Sequence, residues 1–371
     1  ILHSETFLLR KSMVNVEHSV SLTVMMTDPI PPQYFVRVIS DKWLGSETSL
    51  PLSFRHLILP QKSSPPTELL DLQPLPVTAF RNKDLESLYK GRSSFNPIQT
   101  QVFSQLFQSD ENAVVCAPVG SGLDVCAEFA IFEAIARVGL PAAKCVYIAP
   151  YQSVVQQQLK AWQERLQPAL GARVMALSGE TALDLKIIEG ANVILSTPQN
   201  WDMLSRRWRH RKNVQAVNLF IVDGIHLVAS PIGPCIEVIT SRMRYISKQT
   251  QKPMRVVALG APVANVRDIG EWIGASNHAT FSFHFSARPV PLQVQLLGFD
   301  SPFHESRLES MVKPAYSAIV QKDARTIVFV PSWKVARMAT LDLLSLAAAE
   351  DKEKRFLKCN EEDLQEYLEL V

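Results

Sequence analysis

The residues with the most specific chemistry lie in the run Ala113-Val-Val-Cys-Ala-Pro-Val-Gly-Ser-Gly-Leu-Asp-Val-Cys-Ala-Glu128. The β-branched start, 114–116, reads as a short buried strand. A turn with Gly120 and Gly122 follows, and Val125, Phe129, Ile131 and Ile135 then recur at helical spacing. Strand, glycine turn and helix are the frame of a phosphate-binding loop. Glycines let backbone N–H groups face an anion, and the helix N-terminus adds partial positive charge. The frame stands without its charges. Where such a loop has Lys then Ser or Thr, to hold the terminal phosphates and Mg²⁺, this chain has Leu123 then Asp124. Leu123 offers no charge. Asp124 suits the helix dipole and is expected to cap the helix, while repelling a triphosphate. Direct ligation of Mg²⁺ by Asp124 is the weaker alternative. A buried charge contact is worth roughly 2–5 kcal/mol, so losing a cation and gaining an anion should cost several powers of ten in affinity.

The elements that would position this loop alternate along the chain. From Phe95 onward, strands are expected at 114–117, 145–149, 174–177, 193–196, 219–222 and 256–259, with helical patterns between most of them. That alternation predicts an α/β domain with a parallel sheet. A further strand is expected at 293–298, then a helix at 311–320. The strand 326–330 and helix 333–348 would begin a second α/β unit. Upstream, residues 1–59 read as all-β, with strand-like runs at 18–26, 34–39 and 52–59, and suggest the end of an immunoglobulin-like sandwich. Between them, residues 60–94 hold Pro60, Pro65, Pro66, Pro74 and Pro76 and read as a stiff linker closed by a short helix at 84–89.

Composition sets limits. The chain has 371 residues, enough for more than one domain, and 38 basic against 36 acidic residues, so bulk charge does not point to a nucleic acid. The five cysteines show no CxxC spacing and mostly lie in apolar runs, as buried thiols in a reducing compartment would. No run is long and apolar enough to span a membrane and no signal peptide is visible. The chain starts without Met in a strand-like run and stops in a helical pattern, which reads as an excerpt of a longer polypeptide.

An ordered series of further motifs follows the expected strands. Phe95-Asn-Pro-Ile-Gln-Thr-Gln101 precedes the glycine loop. After it come Tyr147-Ile-Ala-Pro-Tyr151, Leu177-Ser-Gly-Glu180, Ser196-Thr-Pro198, Asp223-Gly-Ile-His226, Leu259-Gly-Ala-Pro262 and Thr326-Ile-Val-Phe-Val-Pro-Ser332. This series resembles the DExH-box RNA helicases. Leu52-Ser-Phe-Arg-His-Leu-Ile-Leu-Pro60 and Ser205-Arg-Arg-Trp208 narrow the resemblance to the large two-cassette spliceosomal type found in the tri-snRNP. The resemblance covers nearly the whole chain. It implies the end of a first cassette at 1–59, a linker at 60–94, a RecA-like domain at 95–290 and the truncated start of a second RecA-like domain at 291–371.

The same resemblance implies ATP and Mg²⁺ as cofactors, with Gln99, Gly120, Ser121, Gly122, Asp223 and His226 at the nucleotide. Gln99 would read the adenine edge, or else serve as a polar residue at a helix start. Pro150, Gly179, Glu180, Thr197 and Pro198 match positions that contact an RNA backbone in the family, with turn and cap chemistry as the alternative. Arg206 and Arg207 belong to the one dense basic run, with Arg209, Arg211 and Lys212 around Trp208. That run could contact phosphates, but a solvated face or a protein contact is preferred. Three parts of the hydrolytic machine are absent: the cation at Leu123, the general base at Gly224, and the hydroxyls of the coupling tripeptide at Gly260, Ala261 and Pro262. Losing a general base alone costs about 10²–10⁴ in rate. The expected function is therefore a degenerate second cassette that acts as a scaffold in a nuclear splicing helicase. Its expected partners are tri-snRNP proteins, the active upstream cassette and, as a possibility, RNA. An active helicase cassette and a non-hydrolysing ATP sensor are the alternatives.

Overall fold

A computed structural model describes residues 1–24, 33–54, 65–322, 325–352 and 355–356. The chain divides into two compact units, Ile1–Val290 and Pro291–Val371.

In the first unit, β1 (Tyr34–Ile39) and β2 (Glu47–Leu52) form an antiparallel hairpin, with Phe35 opposite Pro51. Pro51 donates no ladder bond, and it is tolerated because a two-stranded ribbon consists of edges. This hairpin is what the described residues show of the sandwich expected over 1–59. Residues 18–24 form no strand despite their alternation, and residues 55–59 of the expected third run lie outside the described residues. Alternation makes a strand only where a second sheet covers the apolar face, and Val20 and Leu22 are exposed.

The helices and strands of the α/β body follow in order. Helices α1 (Lys83–Ser87) and α2 (Pro97–Phe107) lead into β3 (Ala113–Cys116) and α3 (Leu123–Val138). Next are β4 (Cys145–Ile148), α4 (Gln152–Leu170), β5 (Val174–Ala176) and α5 (Thr181–Gly190). They are followed by β6 (Val193–Ser196), α6 (Pro198–Ser205), α7 (Lys212–Gln215), β7 (Leu219–Asp223) and α8 (Gly233–Thr250). The body closes with β8 (Arg255–Gly260), α9 (Val266–Ile273) and β9 (Thr280–Ser282).

Strands β3 to β9 form one parallel sheet in the order β5-β6-β4-β7-β8-β3-β9. Its pleat separates two cores. Val115, Tyr147, Leu195, Ile221 and Val257 face one, and Val114, Val146, Ile194, Phe220 and Ala258 face the other. Both faces are covered, so the central strands are apolar without alternation. The six expected strands are present, and Leu219–Asp223 sits in the middle of the seven. The seventh, β9, has only Thr280, Phe281 and Ser282 and no apolar run to announce it.

The linker reading needs correcting at its C-terminal end. Residues 65–76 are largely without regular structure, but Val77, Phe80, Leu85 and Tyr89 are buried in the larger core. Phe80 packs edge-on against Phe95 and Phe129. A buried network ties the segment down. Glu128, fully buried on α3, accepts hydrogen bonds from Tyr89, from Trp162 Nε1 at 3.0 Å and from Arg165 at 2.9 Å. Burial raises the Glu128 carboxyl above its ordinary value, and Arg165 opposes the shift without cancelling it.

In the second unit, α10 (His304–Lys322) contains the helix expected at 311–320, and α11 (Trp333–Ala349) matches the one expected at 333–348. Residues 293–298 and the described residues of 326–330 form no strand. Ile327 is 79% exposed and Phe329 91%, so these apolar residues lack the neighbouring strands that would pair and bury them. No helix among the described residues is long and apolar enough to cross a membrane.

Candidate functional site

Parallel strands deliver their following loops to one end of the sheet. The loops after β3, β4, β5, β6, β7 and β8 therefore bring together the glycine turn, Pro150, Gly179 with Glu180, Thr197 with Pro198, Asp223 with Gly224 and His226, and Gly260 with Ala261. Arg206 and Arg207 are not in that group. Helix α6 leaves the same end and carries the chain back toward the start of β7, so the basic run lies at the other end of the sheet.

The glycine turn keeps its geometry. Gly120 and Gly122 have φ of +92° and +72°, a region side chains avoid. Gly122 is the N-cap of α3, which has no side-chain cap bond. The expected cap by Asp124 is thus corrected: its carboxylate sits exposed in the first turn, where it can act only through the helix dipole. Leu123 is half-buried and packs against the larger core.

Gln99 is committed within the chain. It forms a capping box with Asn96 at the start of α2, its Oε1 accepting the Asn96 N–H at 3.2 Å. Its Nε2 donates to the Gly122 carbonyl at 3.0 Å, and the amide fills the space a side chain at Gly122 would need. In this conformation Gln99 shapes the turn and is 3% exposed, so its amide is not presented to an adenine edge.

Asp223 ends β7 and accepts a hydrogen bond from the Tyr147 hydroxyl at 2.6 Å. Burial raises its carboxyl above the ordinary value, against the pull of that hydroxyl and the Gly224 N–H. The tyrosine partner was not found from sequence; its signal was its place one strand away, two residues before the Ala149-Pro150 turn. Gly224 is more than a missing carboxylate. It is buried at φ +83°, and a Cβ there would lie 3.3 Å from both Leu227 Cδ1 and Pro150 Cγ. At Gly260 a Cβ would lie 2.9 Å from His226 Nδ1. The two loops touch directly instead: the Ala261 N–H donates to His226 Nδ1 at 3.0 Å. Gly260, Ala261 and Pro262 carry no hydroxyl, yet the backbone there meets His226, three residues beyond the end of β7.

Among the RNA-contact candidates, Thr197 caps α6 through the Asn200 N–H and Pro198 is buried as its first residue. Gly179, at φ +92°, is turned by Asp184, whose carboxylate accepts the Ser178 and Gly179 N–H groups. Glu180 is exposed and Pro150 half-buried. In the basic run, Arg206 is paired with Asp202 at 2.5 Å and Arg211 donates to the Leu204 carbonyl. Arg207, Trp208, Arg209 and His210 line, with Arg206, a hollow of about 540 Å³. Cys116, Cys126 and Cys145 are buried free thiols, and burial pushes Cys116 up to about 12. Cys359 lies outside the described residues. Among the described residues no cluster of His, Cys, Asp and Glu could hold a metal ion.

A parallel sheet with a glycine turn after one strand and the Asp223 and Gly260 loops after two neighbours defines a RecA-like helicase domain. Its sequence agrees: residues 96–269 match the DEAD/DEAH box helicase family and residues 1–53 the Sec63 Brl domain. The chain is 50% identical over its whole length to the human U5 small nuclear ribonucleoprotein 200 kDa helicase. It is also 50% identical to the Arabidopsis thaliana DExH-box ATP-dependent RNA helicase DExH12. It spans 17% of the length of each. The solved structure of the DUF1998 helicase MrfA bound to DNA and AMPPNP shares the fold, with a TM-score of 0.53 over 79% of this chain and 40% of that one, at 17% identity. Over its whole length the chain is thus similar to one stretch of these DExH-box helicases, and residues 96–269 match the DEAD/DEAH box helicase family.

Proposed function

We propose that this chain joins the first cassette of a spliceosomal ATP-dependent RNA helicase to a degenerate second cassette, which serves as scaffold and regulatory module with little or no ATP hydrolysis of its own. Its setting is the nucleus, and its partners are tri-snRNP proteins, the active upstream cassette and RNA. Whole-length similarity to U5 small nuclear ribonucleoprotein helicases supports the setting. The loss of turnover is carried by one observation: the position of the general base is a left-handed glycine packed against Pro150 and Leu227. The loop is built around the absence of that side chain. ATP is therefore not expected to be hydrolysed here, with or without Mg²⁺, although the glycine turn still offers a phosphate a cradle. A second reading, a cassette that holds nucleotide without turnover, is favoured by that cradle.

The test uses the full-length protein. Asp223→Asn, which keeps an acceptor for Tyr147, should leave ATP-dependent RNA unwinding unchanged. Leu219→Asp, which buries a charge in the centre of the sheet, should unfold the domain and lose association with the ribonucleoprotein. Loss of unwinding in Asp223→Asn would show that the cassette works as an enzyme.

A further inference from the structure

The basic run takes no part in the motif loops. Residues 206–212 hold Arg206, Arg207, Arg209, Arg211 and Lys212 at the opposite end of the sheet. Some of that charge is spent inside the chain. Asp202 accepts Arg206 at 2.5 Å and Arg242 at 2.7 Å, so its carboxylate is fully engaged. Arg211 donates to the Leu204 carbonyl near the end of α6. Arg207, Arg209 and Lys212 are exposed and have no acidic partner among the described residues.

The loop is held in place by its own side chains. Trp208–His210 is a 3₁₀ turn, and Gln215 Nε2, on α7, donates to the Trp208 carbonyl at 2.9 Å and the Arg209 carbonyl at 3.2 Å. Trp208 is half-buried, packs against the second core and meets Tyr245 edge-on. The Arg209 guanidinium lies over the Trp208 ring, 5.6 Å from its centroid. Stacking fixes the direction of a guanidinium and leaves its N–H edge free to donate. Arg207, Arg209 and His210 therefore stand around the hollow of about 540 Å³ with positive charge that nothing in the chain neutralises.

Such a hollow calls for an anion. A single-stranded nucleic acid binds by stacking bases on open aromatic faces and by a track of phosphate contacts. Here the Trp208 ring is already packed, and the free cations are confined to one loop. A carboxylate brings one charge. A phosphate monoester brings about two, with three acceptor oxygens at one point, and can engage two guanidinium forks together. The hollow is several times larger than a phosphate group, which leaves room for the chain that carries it. Tyr245, 48% exposed, offers that chain an apolar contact beside Trp208.

We propose that the hollow at 206–210 is a docking site for a phosphorylated serine or threonine on an acidic protein segment, with Arg207 and Arg209 gripping the phosphate. Arginine clusters read phosphorylated segments in this way. The site names one contact for the scaffold reading without resting on it, since binding here is independent of whether the cassette hydrolyses ATP.

The test uses the full-length protein and a short labelled peptide with one phosphoserine flanked by glutamates. Hydrogen exchange on peptides covering residues 203–216 reads this surface apart from the rest of the helicase. The phosphopeptide should slow exchange there, and its unphosphorylated twin should not. Arg207→Ala and Arg209→Ala should each weaken phosphopeptide binding by about fivefold or more, and Arg209→Lys, which keeps the charge but loses the fork, by about threefold. Both positions are exposed, so a loss of binding reports on the contact rather than on the fold. The proposal is overturned if millimolar phosphopeptide gives no protection, or if the unphosphorylated peptide or inorganic phosphate protects equally. It is also overturned if the alanine variants bind as the parent does, or if a uridine oligonucleotide of the same charge protects the loop more strongly.

Discussion

Restoring the missing carboxylate is the perturbation most directly set by the structure. Gly224→Glu puts back the side chain that positions and deprotonates water in an intact motif, so a reading based on composition alone expects a gain of activity. The geometry predicts the opposite. At φ +83° a side chain costs about 1–2 kcal/mol. Its Cβ would also press on Leu227 and Pro150 at 3.3 Å, and only the leucine can give way easily. Stiffening the unfolded chain returns about 0.4–1 kcal/mol. The backbone figures leave a net loss of up to about 1.6 kcal/mol, to which the crowding adds, so the melting temperature should fall by up to about 6 °C for a domain of this size. Thermal unfolding and an RNA-stimulated ATPase assay on the same preparation read both effects. A variant that keeps its melting temperature and gains turnover would refute the claim that the loop is built around glycine.

Other perturbations test separate parts of the account. Glu128→Ala strips the counter-charge from Arg165 and the acceptor from Tyr89 and Trp162; with Arg165 partly exposed, urea unfolding should show a loss near the lower end of about 3–5 kcal/mol, and Glu128→Gln should lose less. Burial alone would raise the Asp202 carboxyl, but hydrogen bonds from Arg206 and Arg242 outweigh it and hold it below its ordinary value of 3.8. A depressed acid adds stability that is complete above its unfolded value and lost as pH falls through the folded one, so the parent's melting temperature should fall more steeply than that of Asp202→Asn below about pH 4. Leu123→Lys with Asp124→Thr should tighten ADP binding by about tenfold or more by restoring a cation, in a thermal-shift titration with Mg-ADP, while phosphate release from ATP stays at background.

The sheet was legible because covered parallel strands must be apolar on both sides, and Leu219 to Val222 or Val256 to Leu259 can hardly be anything else. The order of the motifs from Tyr147 to Pro262 was legible for the same reason, since each lies at the end of such a strand. Residues 18–24 and 326–330 misled because their patterns describe what a strand would bury, while pairing depends on neighbours that the residues themselves do not specify. The buried end of the linker was hidden because Val77, Phe80 and Tyr89 are spaced by a 3₁₀ turn and a short helix, with no long period to detect. At the site, the glycine frame was readable, but its wiring was not. Gln99 bonding Gly122 and Tyr147 bonding Asp223 both join residues at least 23 positions apart. The Asp124 cap failed for a local reason: the cap position belongs to Gly122, two residues earlier.

The central claim is that this cassette does not turn over ATP, and RNA-stimulated phosphate release by the isolated cassette tests it most directly. Parent and Asp223→Asn should give the same rate, at the background of a protein-free control. Turnover of about one per second, abolished in Asp223→Asn, would lie within the ordinary range for enzymes and would contradict the account.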